Sequence, residues 1–156
     1  MAAPLITLND GNSMPQVGLG VWQTPAEETE RAVATALEAG YRHVDTAAGY
    51  FNEREVGKAV TASGLPREDV FVTTKLWNAD QGYDSTLAAF DASMDRLGFS
   101  YLDLYLIHWP MPAKNAFVDT FKAFAHLRDQ GRIRSIGVSN FEPEHLRILV
   151  DATGIV

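Results

Sequence analysis

Apolar residues along this chain alternate between short unbroken runs and stretches at helical spacing. Leu19-Gly20-Val21-Trp22, residues 42–45, residues 70–75, Leu102 to Ile107 and Ile133 to Val138 have the length and continuity of buried parallel strands. Between them the period changes. Val33, Ala36 and Leu37 share one helical face, as do Leu87, Phe90, Met94 and Leu97, and then Phe117, Phe121, Phe124 and Leu127. The aromatic stripe of the last set reads as core packing. Thr24-Pro25-Ala26-Glu27 predicts a helix start, with Thr24 as N-cap, Pro25 in the first turn and Glu27 closing a capping box. That helix should stop at Gly40, and Gly98 and Gly131 mark later stops. Further helices are expected from about Asn52, over Asp84–Leu97 and over Pro143–Val150. Ahead of them all, Leu5 to Leu8 and Met14 to Val17 flank an Asp10-Gly11 turn and predict a hairpin.

Strand starts near 19, 43, 71, 102 and 133 are spaced by 24, 28, 31 and 31 residues, which suits βαβ units. Two architectures accept such units: an open doubly wound sheet and part of a (β/α)₈ barrel. A dinucleotide-binding open sheet places Gly-x-Gly-x-x-Gly after its first strand. Here Gly18-Leu19-Gly20 precedes Val21-Trp22-Gln23 and no third glycine follows. A barrel instead collects its site from the carboxyl ends of several strands.

Polar residues of this chain stand at such ends. Asp45 closes one run with Tyr50 just beyond it, Lys75 closes another, and His108 closes a third. The barrel is therefore the expected α/β fold. A complete one takes about 250 residues, so residues 1–156 are expected to be a single partial domain of roughly five βα units behind the hairpin.

Composition narrows the function classes. A net charge of -7 and thirteen scattered Lys and Arg argue against a nucleic-acid surface. Zero cysteines exclude disulfides and thiolate chemistry. Met1-Ala2-Ala3-Pro4 lacks the basic and apolar regions of a signal peptide, and no apolar run has membrane-spanning length. A cytoplasmic protein acting on a small molecule, with no membrane partner, is expected.

An acid, a phenol, an amine and an imidazole on one face suit proton transfer. Each alone has a plainer explanation: Lys75 snorkelling to solvent, Asp45 capping a turn, His108 a satisfied core imidazole. Together on neighbouring strands they read as a site. Lys75 in a dry pocket needs a counter-ion, which Asp45 supplies, and its ammonium would stabilise a Tyr50 phenolate. His108 could donate to the same substrate oxygen. His43, His126 and His145 keep the plain explanation. Trp22, Trp77 and Trp109 fall at strand ends or in the loops after them, where they would wall an apolar pocket or simply pack.

Several motifs carry a resemblance. Asp45-Thr46-Ala47-Ala48-Gly49-Tyr50-Phe51-Asn52-Glu53-Arg54-Glu55-Val56-Gly57, Thr73-Thr74-Lys75-Leu76-Trp77-Asn78, Leu106-Ile107-His108-Trp109-Pro110 and Ile136-Gly137-Val138-Ser139-Asn140-Phe141 resemble, in order, signatures of the aldo-keto reductases. Within that family the chain looks most like the bacterial branch that includes 2,5-diketo-D-gluconate reductase. The resemblance implies a (β/α)₈ barrel that reduces an aldehyde or ketone to an alcohol with NADPH and no metal. It implies Tyr50 as the acid, Lys75 as its tuner, Asp45 as the anchor of Lys75 and His108 as the guide of the carbonyl. Ser139 and Asn140 match positions that hydrogen-bond the nicotinamide carboxamide, and Trp22, Trp77 and Trp109 match the pocket wall. The family's later nicotinamide glutamine, phosphate-gripping loops and closing loop have no counterpart in these 156 residues. The chain is thus expected to be an amino-terminal portion, with little activity alone and a tendency to self-associate, the full-length form being a monomer. Two other readings are a non-catalytic partner-binding or split-half module, and a Schiff-base barrel aldolase using Lys75.

Overall fold

A computed structural model describes residues 3–156. Met1 and Ala2, which open both the expected domain and the segment read for a signal peptide, lie outside the described residues. The chain begins with an antiparallel hairpin of β1 (Leu5–Thr7) and β2 (Ser13–Pro15), with Leu5 opposite Pro15. Its turn closes through Gly11 N–H to the Leu8 carbonyl, and Gly11 takes φ 86°, which a side chain would resist.

Five parallel strands follow: β3 (Leu19–Gly20), β4 (His43–Asp45), β5 (Phe71–Leu76), β6 (Leu102–Ile107) and β7 (Ile133–Val138). They pair strictly in chain order, with none of the reversal that defines a doubly wound sheet. Helices α1 (Ala26–Glu38), α2 (Glu53–Ala62), α3 (Tyr83–Leu97), α4 (Phe117–Asp129) and α5 (Pro143–Thr153) alternate with the strands and pack on one another in the same order. This is a five-unit sector of a barrel wall. Among the described residues no helix is long and apolar enough to cross a membrane.

The core lies between the strands and the helices. Val44, Val72, Leu76, Tyr105 and Ile107 are fully buried. Tyr105 stacks near Phe124 (ring centroids 4.4 Å) and edges Phe90 (5.3 Å), so the Phe117-Phe121-Phe124 stripe is packing, as its spacing predicts.

Two local expectations fail. The first parallel strand ends at Gly20 rather than Trp22, because Gln23 turns left-handed (φ 59°) and the Thr24 N–H folds back to the Val21 carbonyl. No capping box forms at Thr24: Pro25 is the N-cap, without a side-chain cap. Thr24 acts through its carbonyl instead, which accepts from the Thr29 hydroxyl (3.3 Å) and from Asn52 Nδ2 (3.2 Å). A capping box does occur at α5, where the Glu142 N–H donates to His145 Nδ1 at 3.1 Å.

Candidate active site

Parallel pairing fixes where side chains meet. Asp45 is in register with Thr73 and Lys75 with Leu106, so Asp45 and Lys75 lie near the carboxyl ends of adjacent strands on one face. Thr74, on the opposite face of β5, donates to Glu53 of α2. Lys75 is 6% exposed, so it does not snorkel. Its ammonium donates to Asp45 Oδ1 (2.5 Å), the Thr46 carbonyl (2.9 Å) and the Tyr50 hydroxyl (3.5 Å). It also stands 5.0 Å from the centre of the Tyr50 ring. Burial without those acceptors would be prohibitive.

Tyr50 arrives by a short loop. Ala48–Tyr50 form a single 3₁₀ turn, and Phe51 leaves it left-handed at φ 59°. Asn52 pins the far side of that loop. Fully buried, it accepts the Thr46 hydroxyl at 2.7 Å and donates to the Val21 carbonyl at 3.0 Å. The sequence marks Asn52 as the approximate start of a helix; its reach across to the first βα unit has no local signal.

His108 follows β6 and is 8% exposed. Its ring meets Tyr50 edge-on at 5.5 Å and Trp77 edge-on at 5.5 Å. Burial pushes the imidazole below its ordinary pKa, the Lys75 ammonium pushes the same way, and Asp45 opposes both. Nδ1 is buried without a partner. Gly49 explains how the aromatic group closes up: a Cβ there would lie 2.6 Å from Trp77 Cε3.

Ser139 and Asn140 directly follow β7 beside this group. The Ser139 N–H donates to the Ile107 carbonyl at 2.8 Å, and Asn140 Nδ2 donates to the His108 carbonyl (2.8 Å) and to Ser139 Oγ (3.0 Å). Asn140 is left-handed, at φ 61°. The tryptophans differ. Trp77 touches the cluster and is 40% exposed, Trp109 follows His108 and is 46% exposed, and Trp22 lies in the turn after β3, 67% exposed. Asp45, Tyr50, Lys75 and His108 are thus brought together, with Ser139, Asn140 and Trp77 around them. Trp22 and Trp109 face solvent at the same end. Among the described residues no group of three His, Cys, Asp or Glu side chains could hold a metal ion. Open clefts mark the surface nearby. One of about 370 Å³ lies behind the Tyr50 loop and is lined by Gly49, Phe51 and Trp77 among others.

Known proteins resemble this chain in sequence and in fold. An aldo-keto reductase of Mycolicibacterium smegmatis is 78% identical over 154 residues, which is 99% of this chain and 56% of that protein. A crystal structure of an aldo/keto reductase from Brucella melitensis superposes with TM-score 0.97 at 56% identity, covering 100% of this chain and 60% of that one. A mutant of Gox0644, solved in complex with NADPH, superposes with TM-score 0.94 at 52% identity, covering 100% of this chain and 56% of its own. The chain therefore spans a little over half the length of the relatives it matches. The family profile described as "Aldo/keto reductase family" matches residues 14–155, a span that takes in every strand of the parallel sheet and each residue of the cluster. With the sheet order, the cluster and this match in agreement, the chain belongs to the aldo/keto reductase family.

Proposed function

We propose that the protein containing this chain reduces an aldehyde or ketone to an alcohol with NADPH, with Tyr50 as general acid. The observation that carries the reading is the Lys75 ammonium held between Asp45 Oδ1, the Thr46 carbonyl and the Tyr50 hydroxyl, with His108 edge-on to the same phenol. A fixed cation beside a phenol stabilises the phenolate left after proton donation. Asp45 and Thr46 position that cation. With Nδ1 enclosed, His108 has Nε2 left to donate to the carbonyl oxygen, orienting it toward the Tyr50 proton. Because the Lys75 Nζ donates to all three acceptors as an ammonium, which has no lone pair for Schiff-base attack, the arrangement weighs against the aldolase reading.

The end of β7 fits a nicotinamide carboxamide. Asn140 commits its NH₂ to His108 and Ser139, leaving its Oδ1 as an acceptor, and Ser139 Oγ accepts from Asn140, leaving its hydroxyl as a donor. One acceptor and one donor match the amide's NH₂ and C=O. Bound NADPH would supply the hydride to the carbonyl carbon. Trp22, Trp77 and Trp109 would form the apolar wall against the substrate.

The remaining parts of the reading are a small-molecule partner, no nucleic acid, a cytoplasmic setting and a monomeric full-length protein. Residues 1–156 act as one partial domain. Alone they turn over little carbonyl and self-associate, because β3 and β7 leave both sheet edges unpaired. Two assays test this. The purified 156-residue chain, of verified mass, is given NADPH and an aldehyde; rapid NADPH consumption would disprove its inactivity. The chain is then mixed with the carboxy-terminal half of the M. smegmatis relative. Recovered, Tyr50-dependent NADPH consumption supports the reductase, and its absence from both preparations sinks it.

A further inference from the structure

The loops that carry Trp77 and Trp109 are stitched to each other from both sides. From the loop after β6, the Lys114 ammonium donates to the Ala79 carbonyl (2.6 Å) and the Asn78 carbonyl (3.2 Å). From the loop after β5, Gln81 Nε2 donates to the Trp109 carbonyl (2.7 Å), and the Gly82 N–H donates to the Thr120 hydroxyl (2.9 Å). Gln81 is 4% exposed and Thr120 fully buried, so two of these stitches are internal. Lys114 is the one made from the outside.

The backbone around Lys114 is bent to this purpose. Pro112–Lys114 form a single 3₁₀ turn, entered through Met111 at φ 46° and left through Asn115 at φ 49°. Non-glycine residues hold left-handed angles where their surroundings over-determine them. The turn brings the Lys114 ammonium to the Asn78 and Ala79 carbonyls of Asn78–Asp80, the turn that immediately follows Trp77. Charge-assisted donation to turn carbonyls is a cap, and it fixes the stretch just past the indole. Trp77 in turn is closely held on its inner side. It lies edge-on to the His108 ring at 5.5 Å, and Gly49 backs it so closely that a Cβ would clash at 2.6 Å. A shift of the Asn78–Ala79 backbone therefore disturbs the contact of Trp77 with His108.

We propose that Lys114 is a positioning residue. As a latch between the loops after β5 and β6, it fixes the Trp77 and Trp109 walls and so helps decide which carbonyl compounds are accepted. It touches neither the reacting atoms nor the Tyr50 cluster. The substrate consequence rests on the reductase reading; the latch itself does not.

The test separates the two. The chain has three tryptophans, so Trp22→Phe leaves Trp77 and Trp109 as the only indoles. In that background Lys114→Met should raise acrylamide quenching about twofold, the size of a local loop opening, while Lys114→Arg, which can still donate to both carbonyls, keeps the parent value. This measurement needs no activity. In whichever preparation turns over, Lys114→Met should lower the kcat/KM ratio of an aryl aldehyde to a short aliphatic aldehyde about fivefold, the scale of one lost hydrogen bond. The loss should lie in KM for the aryl compound and be restored in Lys114→Arg. Parental quenching in Lys114→Met, or an arginine variant that quenches like the methionine variant, overturns the latch; an unchanged ratio overturns its part in substrate choice. If no preparation turns over, the reductase reading fails while quenching still decides the latch.

Discussion

Two buried ionic groups occupy this sheet, and they are built in opposite ways. Asp103, 1% exposed near the start of β6, has both carboxylate oxygens paired: Oδ2 accepts from Arg67 Nη2 (2.7 Å) and the Val72 N–H (3.0 Å), and Oδ1 accepts from Arg134 Nη1 (3.1 Å). Arg67 is sandwiched by the rings of Phe99 and Tyr101, each 4.5 Å from its guanidinium carbon. At the carboxyl ends, Lys75 also has its acceptors, but one of them is a phenol with a transferable proton. His108 keeps Nδ1 without a partner, and Trp77 and Trp109 keep much of their surface. With both oxygens of its carboxylate taken, the Asp103 group is the more nearly saturated, although Arg67 Nε stays buried without a partner among the described residues, and it acts on stability. The Lys75 group keeps a transferable proton and exposed indole surface for a bound molecule to engage.

The sharpest way to break this contrast is to take one atom from the unsaturated end. Tyr50→Phe should lower turnover roughly 10²- to 10⁴-fold in the reconstituted enzyme, the range for loss of a general acid. It should leave the denaturant midpoint nearly in place, because among the described residues the phenol's only hydrogen-bond partner is the long 3.5 Å contact to Lys75. Steady-state NADPH consumption and urea unfolding of the same variant decide it. A variant that keeps near-parental turnover would remove Tyr50 from the mechanism.

At the saturated end the balance should invert. Asp103→Ala strands Arg67 and Arg134 and orphans the Val72 N–H, so it should cost about 3–5 kcal/mol of stability, as breaking a buried pair does. Activity per folded molecule should hardly change. Urea midpoints, with turnover corrected for folded fraction, measure both. A loss of activity beyond that correction would mean that the two groups are coupled through β6.

The sequence makes one of these groups far more legible than the other. Asp45, Lys75 and His108 stand out because each ends an apolar run, where a polar residue has no packing reason to be. Asp103 sits inside its run, one residue past Leu102, and nothing local says that two arginines 36 and 31 residues away reach it. The same blindness covers Asn52 and Lys114, whose partners lie on other loops. Strand order and helix faces follow from period and spacing. The end of β3 and the cap of α1 do not, because a left-handed Gln23 and a side chain from the next unit decided them.

A smaller intervention probes how tightly the unsaturated end is packed. Gly49→Ala puts a Cβ against the Trp77 ring at a distance real contacts do not allow, so either the indole or the Tyr50 loop must shift. About 1–3 kcal/mol of stability should be lost, the usual range for overpacking. KM should rise more than kcat falls, since Trp77 stands beside His108 rather than at the proton-donating atom. An equal loss in both would show that the Tyr50 loop, and not the wall, had moved.

The least effect should come from pH, and it compares one histidine near each end of the sheet. His43, which opens β4, contacts Thr73 Oγ1 through Nε2 at 3.0 Å, and His108 has its unpartnered Nδ1. Burial is the largest cause that lowers both below the ordinary 6.5; Asp45 opposes it in each case, Lys75 reinforces it, and Asp103 opposes it at His43. Each folded imidazole therefore binds fewer protons than its unfolded counterpart once the pH drops below that value. The sign follows: stability is full above pH 6.5 and is lost as the pH falls through the lowered folded values. Urea midpoints at about pH 7.5 and about pH 5.5 should show this drop, and His43→Gln and His108→Gln should each flatten part of it. The two variants differ in what else they change. His43→Gln should leave the pH profile of turnover alone, whereas His108→Gln should alter its acid limb, because a charged His108 sits beside the Lys75 ammonium. Matching turnover profiles for the two variants would erase the distinction between a histidine that supports the fold and one that serves the site.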